Sequence, residues 1–173
     1  MRRRGTVAGA WGLVGVAALI ASLTACGSGG GSGLDANALP RTLRVHVIRA
    51  VDGDTALVRL DGRAQYVRYI GVDTPETVKP GTPVQCFGPQ ASAYDHRLVD
   101  GRTVRLVFDR ERQDVYGRLL AYVYRGERFI NAALVRGGYA RTLRIPPNTA
   151  HAGLFARLAE RAARGGRGLW RTC

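Results

Sequence analysis

Short runs of alternating apolar and polar residues, each bounded by turn residues, dominate the chain after residue 40. The run from Leu43 to Val51 sets Leu43, Val45 and Val47 against polar or smaller neighbours, which predicts a half-buried strand. Two further strand-like runs, Thr55 to Leu60 and Ala64 to Ile70, are separated by an Asp-Gly pair that suits a tight hairpin turn. The pattern therefore predicts a three-stranded meander.

Two later runs have the same character, Thr103 to Asp109 and Arg118 to Arg125, and bring the predicted strands to five. Helical spacing of apolar residues and helix-start signals predict three helices: Gln90 to Val99 after Pro89, Asn131 to Arg136 with Asn131 as N-cap, and Thr149 to Arg164. Five short antiparallel strands with helices inserted late predict a closed β-barrel of the oligonucleotide-binding (OB) type, an α+β fold with about three α-helices. An open α+β sandwich is the alternative.

The N-terminus has the layout of a secretory signal, because Arg2 to Arg4 precede an uncharged run from Gly5 to Cys26. Its end, Leu23-Thr24-Ala25-Cys26, resembles the lipobox of bacterial lipoproteins, in which the cysteine becomes the lipidated first residue. Ordinary cleavage that releases a secreted protein, or an uncleaved membrane helix, are the alternatives. We expect a signal peptide over 1–26, a flexible Gly/Ser linker over 27–40 and a folded domain over 41–173, outside the cytoplasm and lipid-anchored to the cell membrane through Cys26.

Two cysteines remain if Cys26 carries lipid. Cys86 and Cys173 would meet an oxidising compartment, where pairing is the common outcome, so a disulfide is predicted and two free thiols are the alternative. The histidines do not show zinc-ligand spacing with them.

Charge narrows the class of partner. The full chain carries +13, of which Arg2 to Arg4 contribute three charges, and Lys79 is its only lysine. A basic domain is steered toward polyanions, so nucleic acid, anionic lipid and cell-wall polymers are all candidate partners.

Acidic residues cluster at the ends of two predicted strands, in Asp52-Gly53-Asp54-Thr55 and Asp73-Thr74-Pro75-Glu76. Turns of this kind supply the carboxylate and carbonyl oxygens that hard cations such as calcium require. A single segment of this type is more commonly just a turn. A shared metal site would explain both.

Two arginines are candidate phosphate ligands: Arg68, five residues before Asp73, and Arg118, which begins the fifth strand after DVYG. A guanidinium group fits two phosphate oxygens at once and keeps its charge when desolvated. A metal, a carboxylate that orients water and two cations are together what phosphodiester hydrolysis needs.

With these elements in place, the sequence resembles the thermonuclease family, the staphylococcal nuclease-like enzymes, over most of residues 43–170. The matching segments, in family order, are VDGDT (Val51 to Thr55), RYIGVDTPE (Arg68 to Glu76), FGPQAS (Phe87 to Ser92), DVYGRLLAYVY (Asp114 to Tyr124) and NAALVRGGYA (Asn131 to Ala140).

The resemblance implies a role for each matching residue. Asp54, Asp73 and the Thr74 carbonyl would bind Ca²⁺, and Asp52 would lie in its outer shell. Glu76 would position or deprotonate the attacking water. The remaining roles fall to Arg68 and Arg118, which would hold the phosphate, and to Tyr116, which would bind the substrate near a terminal phosphate. The implied enzyme is a monomeric, calcium-dependent endonuclease that cleaves DNA and RNA, prefers single strands and leaves 3'-phosphate ends.

The sequence departs from the family at three points. Val115 replaces a lysine beside the tyrosine, the segment Thr142 to Thr149 lacks the tyrosines that flank the base and sugar, and Cys86 and Cys173 are additional. Nucleotide affinity and base preference therefore stay open. The alternatives to an enzyme are a catalytically inactive nucleic-acid-binding module on the same barrel and a basic envelope-adhesion module. Retention of both arginines and all the acids favours the enzyme.

Overall fold

A computed structural model of the protein describes residues 34–78 and 80–173. The predicted signal peptide, the predicted lipidation site Cys26 and most of the predicted linker lie outside the described residues. The compact unit begins at Leu34, ahead of the predicted domain boundary at residue 41. A short 3-10 helix, Ala36–Ala38, packs on the domain, and Arg112 donates to the main-chain carbonyls of residues 36, 37 and 39. These side-chain contacts attach the end of the predicted linker to the domain.

Five strands close into a barrel, as the alternating pattern predicts. The barrel strands are β1 (Thr42–Ala50), β2 (Thr55–Leu60), β3 (Arg63–Tyr69), β5 (Thr103–Val107) and β6 (Leu119–Arg125), and three further strands of two residues each are β4 (Val72–Asp73), β7 (Arg128–Phe129) and β8 (Arg141–Thr142). Neighbours pair in the order β3-β2-β1-β5-β6-β7, and β3 also pairs with β6 to close the barrel. That closing pair is parallel, so the prediction of an entirely antiparallel barrel is wrong there.

A bulge in β1 decides which residues of that strand face the core. Val45 and Val47 are buried in alternation, but the register with β2 then shifts between Val47 and Arg49. The extra residue moves the next inward position to Ala50, which is fully buried, and Arg49 stays exposed. The bulge therefore keeps a charged side chain out of the core just before the chain turns into the Asp52–Asp54 segment.

Within the described residues, four α-helices accompany the barrel: α1 (Gly88–Val99), α2 (Ile130–Gly137), α3 (Ala152–Arg164) and the short α4 (Leu169–Thr172). The first three correspond to the predicted helices within a few residues, and Pro89 lies in the first turn of α1 as expected. The helices α2 and α3 pack against each other. Each also packs on the barrel through its apolar side. The sequence pattern does not predict α4, whose Leu169 is nevertheless buried.

The prediction that Asn131 caps α2 is wrong, because the helix already starts at Ile130 and Asn131 is buried within its first turn. Its side-chain amide donates to the carbonyl of Ile70 at 2.8 Å and accepts from the N–H of Val123 at 2.9 Å. Asn131 thus joins the turn after β3 to β6. The next residue in that turn, Gly71, has a φ of 80°, and a Cβ there would lie 2.5 Å from the ring of Phe155. The turn between β3 and β4 is consequently fixed from two sides.

No helix in residues 34–78 or 80–173 combines the length and the apolar run needed to cross a bilayer.

Candidate active site

Asp54 lies at the centre of a polar cluster between two turns. Its side chain is buried, and its Oδ2 accepts from the N–H of Thr74 at 2.7 Å and from the Thr74 hydroxyl at 2.9 Å. Its Oδ1 accepts from the Thr55 hydroxyl at 3.2 Å. Gly53 permits this approach, since a Cβ at that position would come within 2.8 Å of the Thr74 side chain. The two acidic segments of the sequence therefore form one site.

Arg68 bridges the two segments. Its Nη1 lies 3.2 Å from Oδ1 of Asp54, and its Nη2 donates to Oδ1 of Asp73 at 3.2 Å. The same Nη1 also donates to the carbonyls of Tyr69, at 3.1 Å, and Val72, at 2.8 Å. These contacts fix the direction of a guanidinium group whose side chain is only 15% exposed.

The crowding of carboxylates shifts their protonation. Burial first, and the charge of Asp54 second, raise the pKa of Asp52 to about 6. Burial and the charge of Asp54 also raise the pKa of Asp73, against the opposing effect of Arg68. Asp52 is joined to this group through its Oδ1, which accepts from the N–H of Asp54 at 2.9 Å. Burial and the neighbouring carboxylate therefore both favour the protonated forms of Asp52 and Asp73.

Glu76 follows the second acidic turn, and its backbone is partly fixed. Its Oε1 accepts from the N–H groups of Thr77 and Val78, both at 2.8 Å. Its own N–H donates to Oε1 of Gln85 at 3.0 Å, and its carbonyl accepts from the N–H of Gln85 at 2.9 Å. The carboxylate and the backbone of Glu76 are thus both oriented by the loop that follows.

Arg118 precedes β6 and is oriented by Asp114. Its Nε donates to Oδ2 of Asp114 at 2.7 Å, and its backbone N–H donates to Oδ1 of the same residue at 3.0 Å. The guanidinium carbon lies 5.5 Å from the centre of the Tyr116 ring. Among the described residues the two terminal nitrogens of Arg118 have no hydrogen-bond partner, so they remain available to an anion.

These residues line one small cleft of about 90 Å³, which brings together every predicted catalytic and metal-binding position: Asp52, Asp54, Arg68, Asp73, Thr74, Glu76 and Arg118. The predicted substrate-binding residue Tyr116 is 81% exposed and lies in an adjoining pocket of about 330 Å³. Arg68 and Arg118 line both spaces, so an anion held between them would have access to the larger pocket. Two further site predictions lie in the described residues, Cys86 and Cys173, which form a disulfide with a Cα–Cα distance of 6.0 Å.

The larger pocket has a mainly apolar wall. Leu120, Leu143 and Ile145 line it together with Val115 and Tyr116. Val115 is 94% exposed and Ile145 is 56% exposed, so both present aliphatic surface at this pocket. The segment Thr142 to Thr149 therefore contributes aliphatic side chains where the resemblance leads one to expect tyrosines.

A third depression, of about 450 Å³, is separate from the cleft and from the larger pocket, which is larger only than the cleft. Arg41, Arg110 and Arg112 line this depression, and we call it the arginine groove. The groove and the larger pocket adjoin along two short segments of the chain. Glu111 and Asn148 line the larger pocket, and residues next to them in sequence, among them Arg110 and Arg112, line the groove. Asn148 fixes this boundary, since its side chain exchanges two hydrogen bonds with the backbone of Glu111, at 2.9 and 2.7 Å.

Sequence reasoning missed four residues that support the cleft. Asp114 orients Arg118 and is itself the first residue of the matching segment DVYGRLLAYVY, where no role was assigned to it. Gln85 orients Glu76 and lies just before the segment FGPQAS. Asp95 is fully buried and accepts from the Tyr69 hydroxyl at 3.0 Å, although it lies on the apolar side of a predicted helix. Arg141 lies opposite Asp73 in the β4–β8 pair and stacks on the Trp170 ring at 4.7 Å. That pairing has no signal in the local pattern.

Within the described ranges, no three His, Cys, Asp or Glu side chains are grouped so as to hold a metal ion by themselves. The donors at the cleft are two carboxylates, Asp54 and Asp73, and the backbone of Thr74. All are oxygen donors, the kind that hard divalent cations take, and most of a calcium shell of six to eight oxygens would have to come from water and substrate.

Comparison with known proteins gives the same class. A family profile described as staphylococcal nuclease homologue matches residues 66–172. The chain is 44% identical over 124 residues to the thermonuclease of Staphylococcus intermedius, and the match covers 72% of this chain and 74% of that protein. It is 50% identical over 102 residues to the thermonuclease of Staphylococcus hyicus, covering 59% of this chain and 60% of that protein. Endonuclease YncB of Bacillus subtilis (strain 168) is 42% identical over 126 residues, covering 72% of this chain and 59% of that protein.

A closed five-stranded barrel with two arginines and a carboxylate cluster at one cleft, shared with such relatives, defines a nuclease-type hydrolase. The chain belongs to the staphylococcal nuclease family.

Proposed function

We propose that this protein is a calcium-dependent endonuclease that acts outside the cytoplasm on DNA and RNA and leaves 3'-phosphate ends. The observation that carries the proposal is the single cleft in which Arg68, Arg118 and Glu76 meet the carboxylates of Asp54 and Asp73. Two cations and an activating carboxylate within one small space fit the hydrolysis of a phosphodiester. The relatives named thermonuclease and endonuclease support the same activity.

Arg68 and Arg118 bind the scissile phosphate in this mechanism. Arg68 is held by two carbonyls and two carboxylates, and Arg118 by Asp114, so neither needs to reorganise when the phosphate arrives. Their charges stabilise the negative charge that develops on the equatorial oxygens, an effect that is stronger in a partly desolvated cleft. The leaving nucleoside lies in the larger pocket beside Tyr116. The aliphatic wall of this pocket contacts the base and offers few hydrogen bonds that would distinguish one base from another.

Glu76 orients the water and accepts its proton. The water oxygen forms a bond to phosphorus in line with the departing 5'-oxygen, the P–O5' bond breaks, and the leaving oxygen takes up a proton to become a hydroxyl. The phosphate stays on the 3'-oxygen. Asp54, Asp73 and the Thr74 carbonyl would hold Ca²⁺, with Asp52 behind them, and the ion would supply positive charge to the phosphate.

The donor set fits such an ion. The raised pKa values of Asp52 and Asp73 come from burial and from mutual repulsion with Asp54, which is the environment that a bound dication relieves.

Digestion of single-stranded DNA by residues 27–173, which contain the whole compact unit, tests the proposal. We expect degradation with calcium, arrest by a chelator and 3'-phosphate ends in the products. Glu76→Gln should lower kcat by roughly 100-fold or more while single-stranded DNA still binds, because one such group can account for about 3–4 kcal/mol of transition-state stabilisation. Binding of DNA with no digestion above a metal-free control, at several salt concentrations, would instead support the inactive binding module.

Attachment to the membrane through a lipid on Cys26 is a separate proposal, supported by the lipobox-like segment that ends there. Replacement Cys26→Ala should move the protein from the membrane fraction to the medium or block its processing. Unchanged fractionation would leave secretion without an anchor as the better description.

A further inference from the structure

The loop after Glu76 is closed at its base by a pair of hydrogen bonds. Gln85, nine residues further along, donates its N–H to the Glu76 carbonyl at 2.9 Å and accepts from the Glu76 N–H through its side-chain Oε1 at 3.0 Å. We call this pair the loop neck. One of its two bonds depends on the Gln85 side chain, so residue identity matters at position 85.

The neck lies against the start of α1. The carbonyl of Gln85 accepts from the N–H of Gly88 at 3.0 Å. A Cβ on Gly88 would come 3.0 Å from the Glu76 carbonyl and 3.2 Å from that of Pro75. The backbone of Glu76 is therefore packed on a rigid helix end, and Gly88 allows the close approach.

A covalent bond holds the other side of the neck. Cys86 directly follows Gln85 and is bonded to Cys173, at a sequence separation of 87. The C-terminal segment is itself anchored, since Leu169 is buried and its N–H donates to the carbonyl of Gly138 at 2.9 Å. The disulfide thus joins the residue next to the neck to a segment fixed at the end of α2.

The Glu76 carboxylate responds to this backbone. Its Oε1 accepts from the two N–H groups that follow it, those of Thr77 and Val78, so its direction follows the peptide planes of the loop entrance. A neck that opens would rotate these planes. Since a misplacement of about 1 Å can lower a rate by roughly 100-fold, the position of the neck bears directly on catalysis.

We propose that Gln85 and the Cys86–Cys173 disulfide are positioning elements for the Glu76 carboxylate, so that turnover depends on the oxidation state of this cysteine pair. The inference rests on the role of Glu76 in the proposed function. A dithiol reductant would change that state: it gives up two electrons and two protons and becomes a cyclic disulfide, the S–S bond breaks, and each cysteine sulfur gains one electron and one proton.

A disulfide also stabilises a fold by restricting the unfolded chain, and positioning has to be separated from that effect. A purely stabilising bond alters the fraction of folded protein but leaves the kcat of folded molecules unchanged. Positioning of Glu76 predicts a lower kcat at a temperature where circular dichroism shows every form folded. KM should stay constant, because Arg68 and Arg118 hold the phosphate from other segments.

The experiment compares residues 27–173 with the variants Cys86→Ser/Cys173→Ser, Gln85→Leu and Gln85→Glu, on single-stranded DNA with calcium. We expect kcat to fall roughly 10-fold in the double serine variant and in Gln85→Leu. Gln85→Glu keeps an acceptor at the same position and should retain most of the activity. Gln90→Leu, the same change on an exposed glutamine of α1, is the matched control.

Reduction of the folded wild type by dithiothreitol gives a second measurement that needs no variant. Its kcat should fall to the level of the double serine variant and recover on reoxidation, whereas the serine variant should not respond. Unchanged kcat in the reduced wild type and in Gln85→Leu, with only a lower Tm, would overturn this inference while the proposed function stands. An oxidised wild type without calcium-dependent activity would overturn both.

Discussion

Arg68 and Asp54 form an ion pair at the centre of the cleft, with Nη1 of the arginine 3.2 Å from Oδ1 of the aspartate. Their side chains are 15% and 6% exposed, so each is the principal opposite charge that the other meets away from bulk water. Removal of one member of such a pair leaves the other buried and uncompensated. The arginine balances the charge of Asp54, and in the proposed mechanism it also binds the phosphate, since it lines both the cleft and the larger pocket.

Arg68→Lys separates these functions. Lysine keeps the charge but has a single ammonium group, which cannot reach the two carboxylates, two carbonyls and a phosphate at the same time. We expect kcat to fall by roughly 100-fold, with a smaller loss in Tm. Arg59→Lys, on the exposed side of β2, should leave both unchanged. Steady-state kinetics with a thermal melt measures the two effects, and a kcat within twofold of wild type would show that Arg68 acts only in the fold.

Asp114 orients Arg118, so its amide variant should affect turnover. In Asp114→Asn the accepting Oδ2 at 2.7 Å from Nε becomes either a neutral oxygen or an N–H group, and the guanidinium loses its charged partner. We expect kcat to fall roughly 10-fold, because hydrogen bonds to charged groups contribute about 1.5–3 kcal/mol. Asp61→Asn, in the exposed β2–β3 turn, serves as the control. Equal rates for both variants would contradict the positioning role.

The arginine groove gives a prediction about long substrates. Arg41 and Arg110 are exposed in it, whereas Arg112 is occupied by three carbonyls of the N-terminal segment. If a single strand continues from the larger pocket into the groove, Arg41→Gln/Arg110→Gln should raise KM for long strands. The slope of log KM against log salt should fall by about 1.4, at about 0.7 per phosphate contact. A dinucleotide substrate and the control Arg59→Gln/Arg157→Gln should show no change, and an unchanged slope for long strands would exclude the groove from substrate binding.

Asp95 should make stability depend on pH. Burial first raises its pKa well above the ordinary value, which the hydrogen bond from the Tyr69 hydroxyl only partly offsets. The unfolded chain loses this proton near pH 3.9, about the ordinary value, whereas the native state keeps it to higher pH. The native state then binds more protons, so the free energy of unfolding falls as pH rises through this window. Asp95→Asn should flatten the fall, measured by urea denaturation between about pH 4 and about pH 7. An equally steep slope in the variant would show that Asp52 and Asp73 account for it.

The local pattern of apolar and polar residues was sufficient to predict the five barrel strands and three of the helices. Each of these elements buries one face, so its apolar residues recur at a regular period. It also predicted the residues of the cleft, since VDGDT and RYIGVDTPE each carry their chemistry within a few consecutive residues. The segments meet because β2 and β3 are neighbours and Thr74 binds Asp54 across the two turns. Here proximity along the chain and proximity in the fold coincide.

Features that depend on distant pairings were not predicted. Asn131 is of a residue type that commonly caps helices. Its position is instead determined by two distant backbone groups that hydrogen-bond to its side-chain amide, the N–H of Val123 and the carbonyl of Ile70. Asp95 occupies an otherwise apolar helix face because Tyr69 on another element supplies a hydroxyl. The β4–β8 pair and α4 are too short to produce a period. In each case the partner lies far away in sequence, where local periodicity carries no information.

The parallel pairing of β3 with β6 has a consequence for when the activity can arise. Arg68 is paired with Leu120, and Arg118 directly precedes β6, so the pairing of β3 with β6 that closes the barrel is what brings the two arginines to one cleft. A chain in which this pairing has not formed carries both arginines but does not hold them at one cleft. Assembly of the cleft, and with it the proposed activity, therefore depends on closure of the barrel.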